Sequence, residues 1–390
     1  MAVAAMVAWR VVQPRGYRQV QRMAVYDTTL IPCITGYLLR PTAGQYAFYD
    51  WRGRETWRVT VPATSMRRIA GTSEMVMLSF PPNATISSAG DTLAVTAPED
   101  SGMRVMVWRN GILRSNRVYA EFLFTTRSTV QALDTGRIIV TGLGADRSMT
   151  RVLLVLDDRG IVARHTFPTN DGVTLSPNGA SAIVGGFTPA YYPKLRIVGE
   201  HITLSPAITP APGFTRNYAW FFADGTLVTP RGDMLRPDGS LPTNLGWRCE
   251  SLAPGNRYAL QTRAHETRVY SPLSGDVWLV TVPGRNDGGD ATADGRFALV
   301  TYSMPIARVL LEAAARFPRL QNMIPGDQQF LALYERPGRL IARKRVNEWN
   351  QETGSNQVIE RVWFPSTDGR DIITTVQHEN GKCECLLYRY

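Results

Sequence analysis

TWRVTVP at residues 56–62 and VWLVTVP at residues 277–283 are two versions of one phrase, and a third, AWRVVQP, stands at residues 8–14. Each sets alternating apolar residues before a closing proline, in a stretch the length of one β-strand. The two internal copies follow glycine turns, YDWRG at Gly53 and SPLSG at Gly275, so each reads as the second strand of a hairpin. The copy at 8–14 has no first strand before it. That strand must come from elsewhere in the chain.

Two series of glycine turns show where. One places a small or polar residue beside Gly ahead of an apolar run: SSAGDTLAV (Gly90), LDTGRIIV (Gly136), SPNGASAIV (Gly179), FADGTLV (Gly225), APGNRYAL (Gly255), TADGRFALV (Gly295) and STDGRDIITTV (Gly369). The other joins two apolar runs at Gly53, Gly111, Gly160, Gly239, Gly275 and Gly338, with KLRIVGEHITL at Gly199 a weaker member. The members of the second series lie roughly forty to sixty residues apart, about the length of a four-stranded unit. With strands a-b-c-d in each unit, the first series marks the a–b turn and the second the c–d turn. The chain then ends on CECLLYRY, residues 383–390, a c strand with no d strand after it. AWRVVQP supplies the missing strand and removes a free sheet edge.

The expected fold is therefore all-β: a single β-propeller over residues 1–390, its ring closed by the N-terminal strand in the C-terminal blade. The expected c strands fall at 46–50, 105–109, 152–157, 194–198, 233–237, 267–272, 330–335 and 384–390, which makes eight four-stranded blades. Seven is the alternative count, because the unit at Gly239 is short. One helical insertion, 304–327, interrupts the penultimate blade. There Ile306, Val309, Leu310, Ala313, Ala314 and Phe317 recur at helical spacing between Pro305 and Pro318.

These turns resemble those of the bacterial propeller superfamilies with WD40-like, TolB-like and PQQ-like repeats. SPNG, TADG and STDG are similar to the S-P-D-G turn of TolB-like blades. YDWRGRETW resembles the tryptophan-docking motif of PQQ-like blades, with Asp50 before Gly53 and Trp57 four residues after it. The Asp–Gly interval is one residue shorter than in that motif, and only the units ending at Trp57 and Trp278 carry the tryptophan. The resemblance implies a fold and no activity. PQQ-type cofactor binding does not carry over, because the paired cysteines and metal ligands of those enzymes have no counterpart.

Composition narrows function mainly by exclusion. The net charge is +10 with only three lysines, Lys194, Lys344 and Lys382, so the positive charge is almost all arginine. Arginine suits carboxylate and phosphate partners, and it is also what a GC-rich genome encodes. No basic run is long enough for a dedicated nucleic-acid protein. Cys33, Cys249, Cys383 and Cys385 make no disulfide framework, and the four histidines, His165, His201, His265 and His378, show no metal-ligand spacing. Asp287, Asp290 and Asp294 lie close in sequence but lack the alternation of a calcium loop. No metal or cofactor is expected. The opening MAVAAMVAWRVV is too short to span a bilayer and lacks a basic leader segment. The cytoplasm is the expected compartment, with export the alternative if the true start lies upstream.

The tight glycine turns occupy one rim of the expected propeller, and the longer b–c and d–a connections occupy the other, where partners would dock. The candidate partner-binding residues are Arg67, Arg68 and Arg147 in such connections, Tyr191 and Tyr192 in GFTPAYYPK, and Arg308, Phe317 and Arg319 in the insertion. The helix reads first as a plug on its own scaffold, with a docking element for a protein partner as the alternative. A non-catalytic scaffold for protein partners is the leading expectation. An enzyme or small-ligand receptor using the central pocket is the alternative.

Overall fold

The computed structural model describes residues 18–62, 83–99, 102–122, 129–145, 150–168, 172–185, 189–210, 214, 219–242, 246–275, 277–304, 328–345, 358–378 and 380–389. The protein is an all-β fold of the β-propeller type, and the described strands form eight sheets. After β1 (Arg18–Val25) come a sheet of β2 (Leu30–Pro32), β3 (Gly36–Leu39), β4 (Gln45–Asp50) and β5 (Glu55–Thr60), then one of β6 (Asn83–Ile86), β7 (Thr92–Glu99), β8 (Gly102–Arg109) and β9 (Ile112–Tyr119). The third sheet is built on β10 (Thr129–Ala132), β11 (Ile138–Leu143), β12 (Arg151–Asp157) and β13 (Gly160–Phe167). The fourth holds β14 (Val173–Leu175), β15 (Ala182–Val184) and β16 (Ala190–Tyr192), and is followed by a hairpin of β17 (Leu195–Val198) and β18 (His201–Leu204). The fifth has β19 (Trp220–Phe221), β20 (Leu227–Val228) and β21 (Met234–Leu235).

The sixth sheet is β22 (Arg248–Leu252), β23 (Ala259–Arg263), β24 (Glu266–Tyr270) and β25 (Val277–Thr281), and the seventh β26 (Arg285–Ala291), β27 (Phe297–Met304), β28 (Gln328–Glu335) and β29 (Arg339–Arg345). The eighth contains β30 (Val358–Pro365), β31 (Asp371–His378) and β32 (Cys383–Arg389), with β1 as its fourth strand. The chain divides into two compact units. One comprises residues 29–244 with 254–256, and the other residues 1–28, 245–253 and 257–390.

Within each unit, successive sheets pack face to face through the apolar side chains of their strands. Leu38, Phe48, Trp57, Leu93 and Met106 form one such layer in the first unit. Leu260, Val269, Trp278, Val300 and Tyr302 form another in the second. The middle strands are buried on both faces and read as continuous apolar runs, as in GYLL of β3. The fourth strands alternate buried and exposed residues, as in VWLVT of β25. That difference identifies the outer strand of each unit.

The a–b turn follows one template. The Gly N–H bonds to the carbonyl three residues earlier at Gly90, Gly136, Gly179, Gly225, Gly295 and Gly369. Where the first residue is Ser or Thr, its buried hydroxyl caps the turn. Ser366 Oγ donates to Asp368 Oδ1 at 2.8 Å and accepts from Asp371 N–H at 2.9 Å. Ser176 with Asn178 and Thr292 with Asp294 repeat the arrangement. The turn also sets the fit between sheets. Gly90 has φ of +82°, and a Cβ there would stand 2.3 Å from the Phe48 ring of the preceding sheet. Only glycine meets both demands.

The two internal tryptophans pack as structural residues. Trp57 stacks on Phe48 with ring centroids 5.4 Å apart, an arrangement worth about 0.5–1.5 kcal/mol beyond area burial. The Trp278 indole N–H donates to the Gly295 carbonyl of the next sheet at 2.7 Å.

Three expectations require correction. The N-terminal strand does join the C-terminal sheet, but the strand is Arg18–Val25 rather than 8–14. It pairs antiparallel with β32 from Arg18↔Arg389 to Val25↔Cys383. Residues 8–14 lie outside the described residues. Second, the c strand of the fourth sheet is β16 and not 194–198. Residues 195–204 form a separate hairpin whose β18 meets β13 in parallel at Arg164↔His201, and the fourth-strand position beside Tyr191 is taken by a single bridge at Ile208. Third, GRNDGGD is not a loop, because all but its first residue lies in β26, Arg285–Ala291. Its glycines permit it: a Cβ on Gly289 would meet the Leu299 carbonyl oxygen at 2.1 Å.

Among the described residues, no helix is long and apolar enough to cross a membrane. The expected helix at 304–327 lies outside them, apart from Met304, which ends β27.

Candidate functional site

The connections between strands are of two unequal kinds. Most a–b and c–d turns are short and regular, as at 110–111, 158–159, 292–296 and 336–338, and the c–d connection of the fourth sheet, 193–207 with its β17–β18 hairpin, is the exception. The three longest stretches, 61–82, 305–327 and 346–357, all join b to c or d to the next a. One end of most sheets is thus held to a template while the other carries the longest connections.

Of the candidate residues, Arg67, Arg68, Arg147, Arg308, Phe317 and Arg319 lie outside the described residues. Tyr191 and Tyr192 stand in β16 rather than in an exposed loop. Tyr191 is fully buried, its hydroxyl donates to the Gly225 carbonyl at 2.8 Å, and burial pushes its pKa up to about 12. It fills the layer with Ile183, Phe221 and Leu227, so it serves packing and not a partner. Tyr192 is half-buried beside Phe167, with ring centroids 6.2 Å apart. The flanking Pro189 and Pro193 made a three-residue strand look like a loop.

Two charged groupings stand at the variable end of sheets in the second unit. In the sixth sheet, Trp247 directly precedes β22, and Arg263 ends β23 at the b–c turn. The register sets Gln261 opposite Arg268, so strand pairing brings both arginines to the Trp247 indole. The guanidinium carbons of Arg263 and Arg268 lie 4.8 and 4.4 Å from its ring centroid. Arg268 also lies over Tyr270 at 5.1 Å and donates through Nε to Gln261 Oε1 at 2.7 Å. Burial lowers the Arg268 pKa from its ordinary value, and the charge of Arg263 pushes the same way against the Tyr270 phenol. Arg263 is paired with Glu266 at 2.7 Å.

The other grouping surrounds Glu384 in β32. Its buried carboxylate receives Arg22 Nη2 at 2.6 Å, Lys382 Nζ at 2.8 Å and His378 Nε2 at 3.2 Å. Burial alone would raise this carboxyl, but hydrogen bonds from Arg22, Lys382 and His378 hold it down at about 2. The cluster ties β1 to the C-terminal sheet.

Elsewhere ionisable groups form ion pairs, as Glu335 does with Arg296 and Arg339 and Asp371 with Arg389. Asp287 accepts from Arg285 Nε at 3.0 Å and bonds to Ser303, while Asp294 caps its own turn through Thr292. Asp290, half-buried by surface area, is set deep enough that desolvation pushes its carboxyl up to about 7 against a bond from Ser251. No three His, Cys, Asp or Glu side chains converge on a metal position among the described residues. Burial lowers the His165 pKa against a backbone hydrogen bond with Ile202, and His265 Nδ1 lies 2.6 Å from the Gly284 carbonyl. The four cysteines are buried free thiols.

No protein-family profile matches the chain, and no curated protein matches it. Among solved structures, a eukaryotic initiation factor is 11% identical, with 87% of this chain and 92% of that chain covered and a TM-score of 0.43. The Myceliophteria thermophila Cps50 (Swd1) beta-propeller domain is 10% identical, covering 73% of this chain and 95% of its own, with a TM-score of 0.40.

Proposed function

We propose that this chain is a non-catalytic scaffold that binds protein partners through the ends of its sheets bearing the b–c and d–a connections. The observation that carries this reading is the inequality of the connections. Short turns with fixed hydrogen bonds hold one end of most sheets, and the three longest stretches, 61–82, 305–327 and 346–357, belong to the other, with the c–d insertion 193–207 of the fourth sheet as the exception. Loops on a rigid frame can change sequence without loss of the fold, which is how such frames acquire partners. Arg67, Arg68, Arg308, Phe317 and Arg319 belong to those stretches and Arg147 to the shorter b–c connection between β11 and β12; these are the candidates, with Tyr192. Whether residues 1–390 act as one domain is part of the same proposal.

The test is affinity purification of the tagged chain from its own organism, at low and at physiological salt, with co-purifying species identified. A stoichiometric protein partner that persists at physiological salt is expected. A chain that emerges alone under both conditions contradicts the scaffold reading.

A further inference from the structure

We propose that Arg268 and Arg263, held against Trp247, form a receptor for a carboxylate from an acidic segment of a protein partner. This inference rests on the scaffold reading and names the chemistry of one contact.

The geometry of Arg268 is the first support. Its Nε is committed to Gln261, and its guanidinium carbon lies 4.4 Å from the Trp247 centroid and 5.1 Å from the Tyr270 centroid, which limits its movement. No carboxylate pairs with it and no hydrogen bond engages Nη1 or Nη2 among the described residues. What remains is a pair of donors in a fork, the geometry that a carboxylate accepts through both oxygens. An arginine oriented in advance loses less freedom on binding than one that must first be ordered.

Gln261 supplies the second. Its side chain is fully buried, and its Nε2 has no hydrogen-bond acceptor. A buried donor without an acceptor costs about 1–3 kcal/mol. Packing does not require the amide, since an apolar side chain of similar size would fill the position. Its one polar contact is the bond that aims Arg268, so orientation of Arg268 accounts for its presence.

The charge balance selects the ligand. Two guanidinium groups share one indole; Glu266 pairs with Arg263, and no carboxylate among the described residues pairs with Arg268. The Arg268 charge matches a carboxylate monoanion. A phosphate dianion would face the Glu266 carboxylate with a charge still unmatched. Placement agrees, because Trp247 directly precedes the a strand β22 and Arg263 precedes a b–c turn.

The probe is a fluorescein-labelled peptide of four Glu-Gly repeats, titrated by anisotropy at physiological salt against the full chain. A peptide of four Gln-Gly repeats serves as the neutral control. Saturable binding of the Glu peptide is expected, weakened at least tenfold by Arg268→Gln and nearly as much by Arg268→Lys, which keeps charge but loses the fork. Arg263→Gln, at a half-exposed position, is expected to weaken it severalfold and keeps the test open if Arg268→Gln does not fold. Arg370→Gln, at a 77% exposed arginine in an a–b turn, should change nothing.

Equal binding of the Gln peptide, an Arg268→Gln affinity equal to that of the parent, or an equal loss in Arg370→Gln would each overturn the proposal. Displacement of the peptide by inorganic phosphate at concentrations where acetate has no effect would also overturn it, in favour of a phosphate site. If these variants fail to discriminate while the chain still captures a partner, the carboxylate site falls and the scaffold reading stands. If Arg268→Gln abolishes peptide binding but no partner is captured, the scaffold reading falls and the carboxylate site stands.

Discussion

Arg22 donates to Glu384 at 2.6 Å across 362 positions of sequence, fastening the first described strand to the last. The strand β1 is amphipathic and half-exposed, so its own burial contributes modestly. A buried carboxylate that also holds Lys382 and His378 gives the pairing a fixed register. Replacing it removes the charge and leaves the donors to water.

Glu384→Gln is accordingly expected to destabilise the second unit by about 1–3 kcal/mol. The pH dependence gives a sharper signature. The folded-state pKa, about 2, lies below the ordinary value of 4.5, so the stabilisation is complete above about pH 4.5 and is lost as pH falls toward 2. Urea midpoints measured from pH 6 to pH 3 should fall more steeply for the parent than for the variant. Parallel curves would show that Glu384 is not the titrating group.

Asp290 should behave in the opposite sense. Its carboxyl is raised from 3.8 to about 7, so between those values the folded state binds more protons than the unfolded state. Stability therefore falls as pH rises through that window and stays reduced above it. Asp290→Asn is expected to remove this slope and to raise the melting temperature at pH 8. An unchanged slope would show that a group other than Asp290 titrates in that window.

The glycine turns separate backbone from packing. Gly90 and Gly199 both have positive φ, at +82° and +60°, but only Gly90 faces a neighbour, Phe48 at 2.3 Å from an added Cβ. Gly199→Ala should cost about 1–2 kcal/mol, the left-handed backbone penalty alone. Gly90→Ala should cost clearly more, because the aromatic ring between two sheets must also move. Equal shifts in melting temperature would deny that the turn sets the fit between sheets.

The capped turn makes a related case. Ser366→Ala removes the acceptor for Asp371 N–H and the donor to Asp368 in a buried site, at a cost of about 1–3 kcal/mol. Ser366→Thr keeps the hydroxyl that Thr292 already supplies in the same turn, and should lose less. A Ser366→Thr variant as unstable as Ser366→Ala would contradict this.

Much of the architecture was legible because positive-φ turns demand glycine, and glycine is visible in a sequence. The positions of seven a–b turns follow from it, and the two glycine series together give the count of eight sheets; the first sheet's turn at 33–35 has no positive-φ glycine and left no such mark. The closing strand was misplaced because AWRVVQP resembles TWRVTVP, whereas RQVQRMAV carries neither the tryptophan nor the closing proline of that phrase. What selects the latter is the ladder to β32 and the bond to Glu384, both contacts at long range. Tyr191 was misread for a local reason, its bracketing prolines.

The arginine pair at Trp247 was not legible at all. Trp247, Arg263 and Arg268 are separated in sequence by a strand and a turn. Only the register that sets Gln261 against Arg268 brings them together. A b–c turn rich in arginine on both sides, RAHETR at 263–268, was the one local hint.

The most direct measurement is site-specific photocrosslinking in the native organism, with p-benzoylphenylalanine placed at both ends of the sheets. Ala264 and Asn380 mark b–c turns, and Thr135 and Asp368 mark a–b turns. Crosslinks to one defined protein partner from Ala264 or Asn380, with none from Thr135 or Asp368, are the predicted result. Crosslinks from the a–b turns alone, or equally from both ends, would contradict the assignment of the working end.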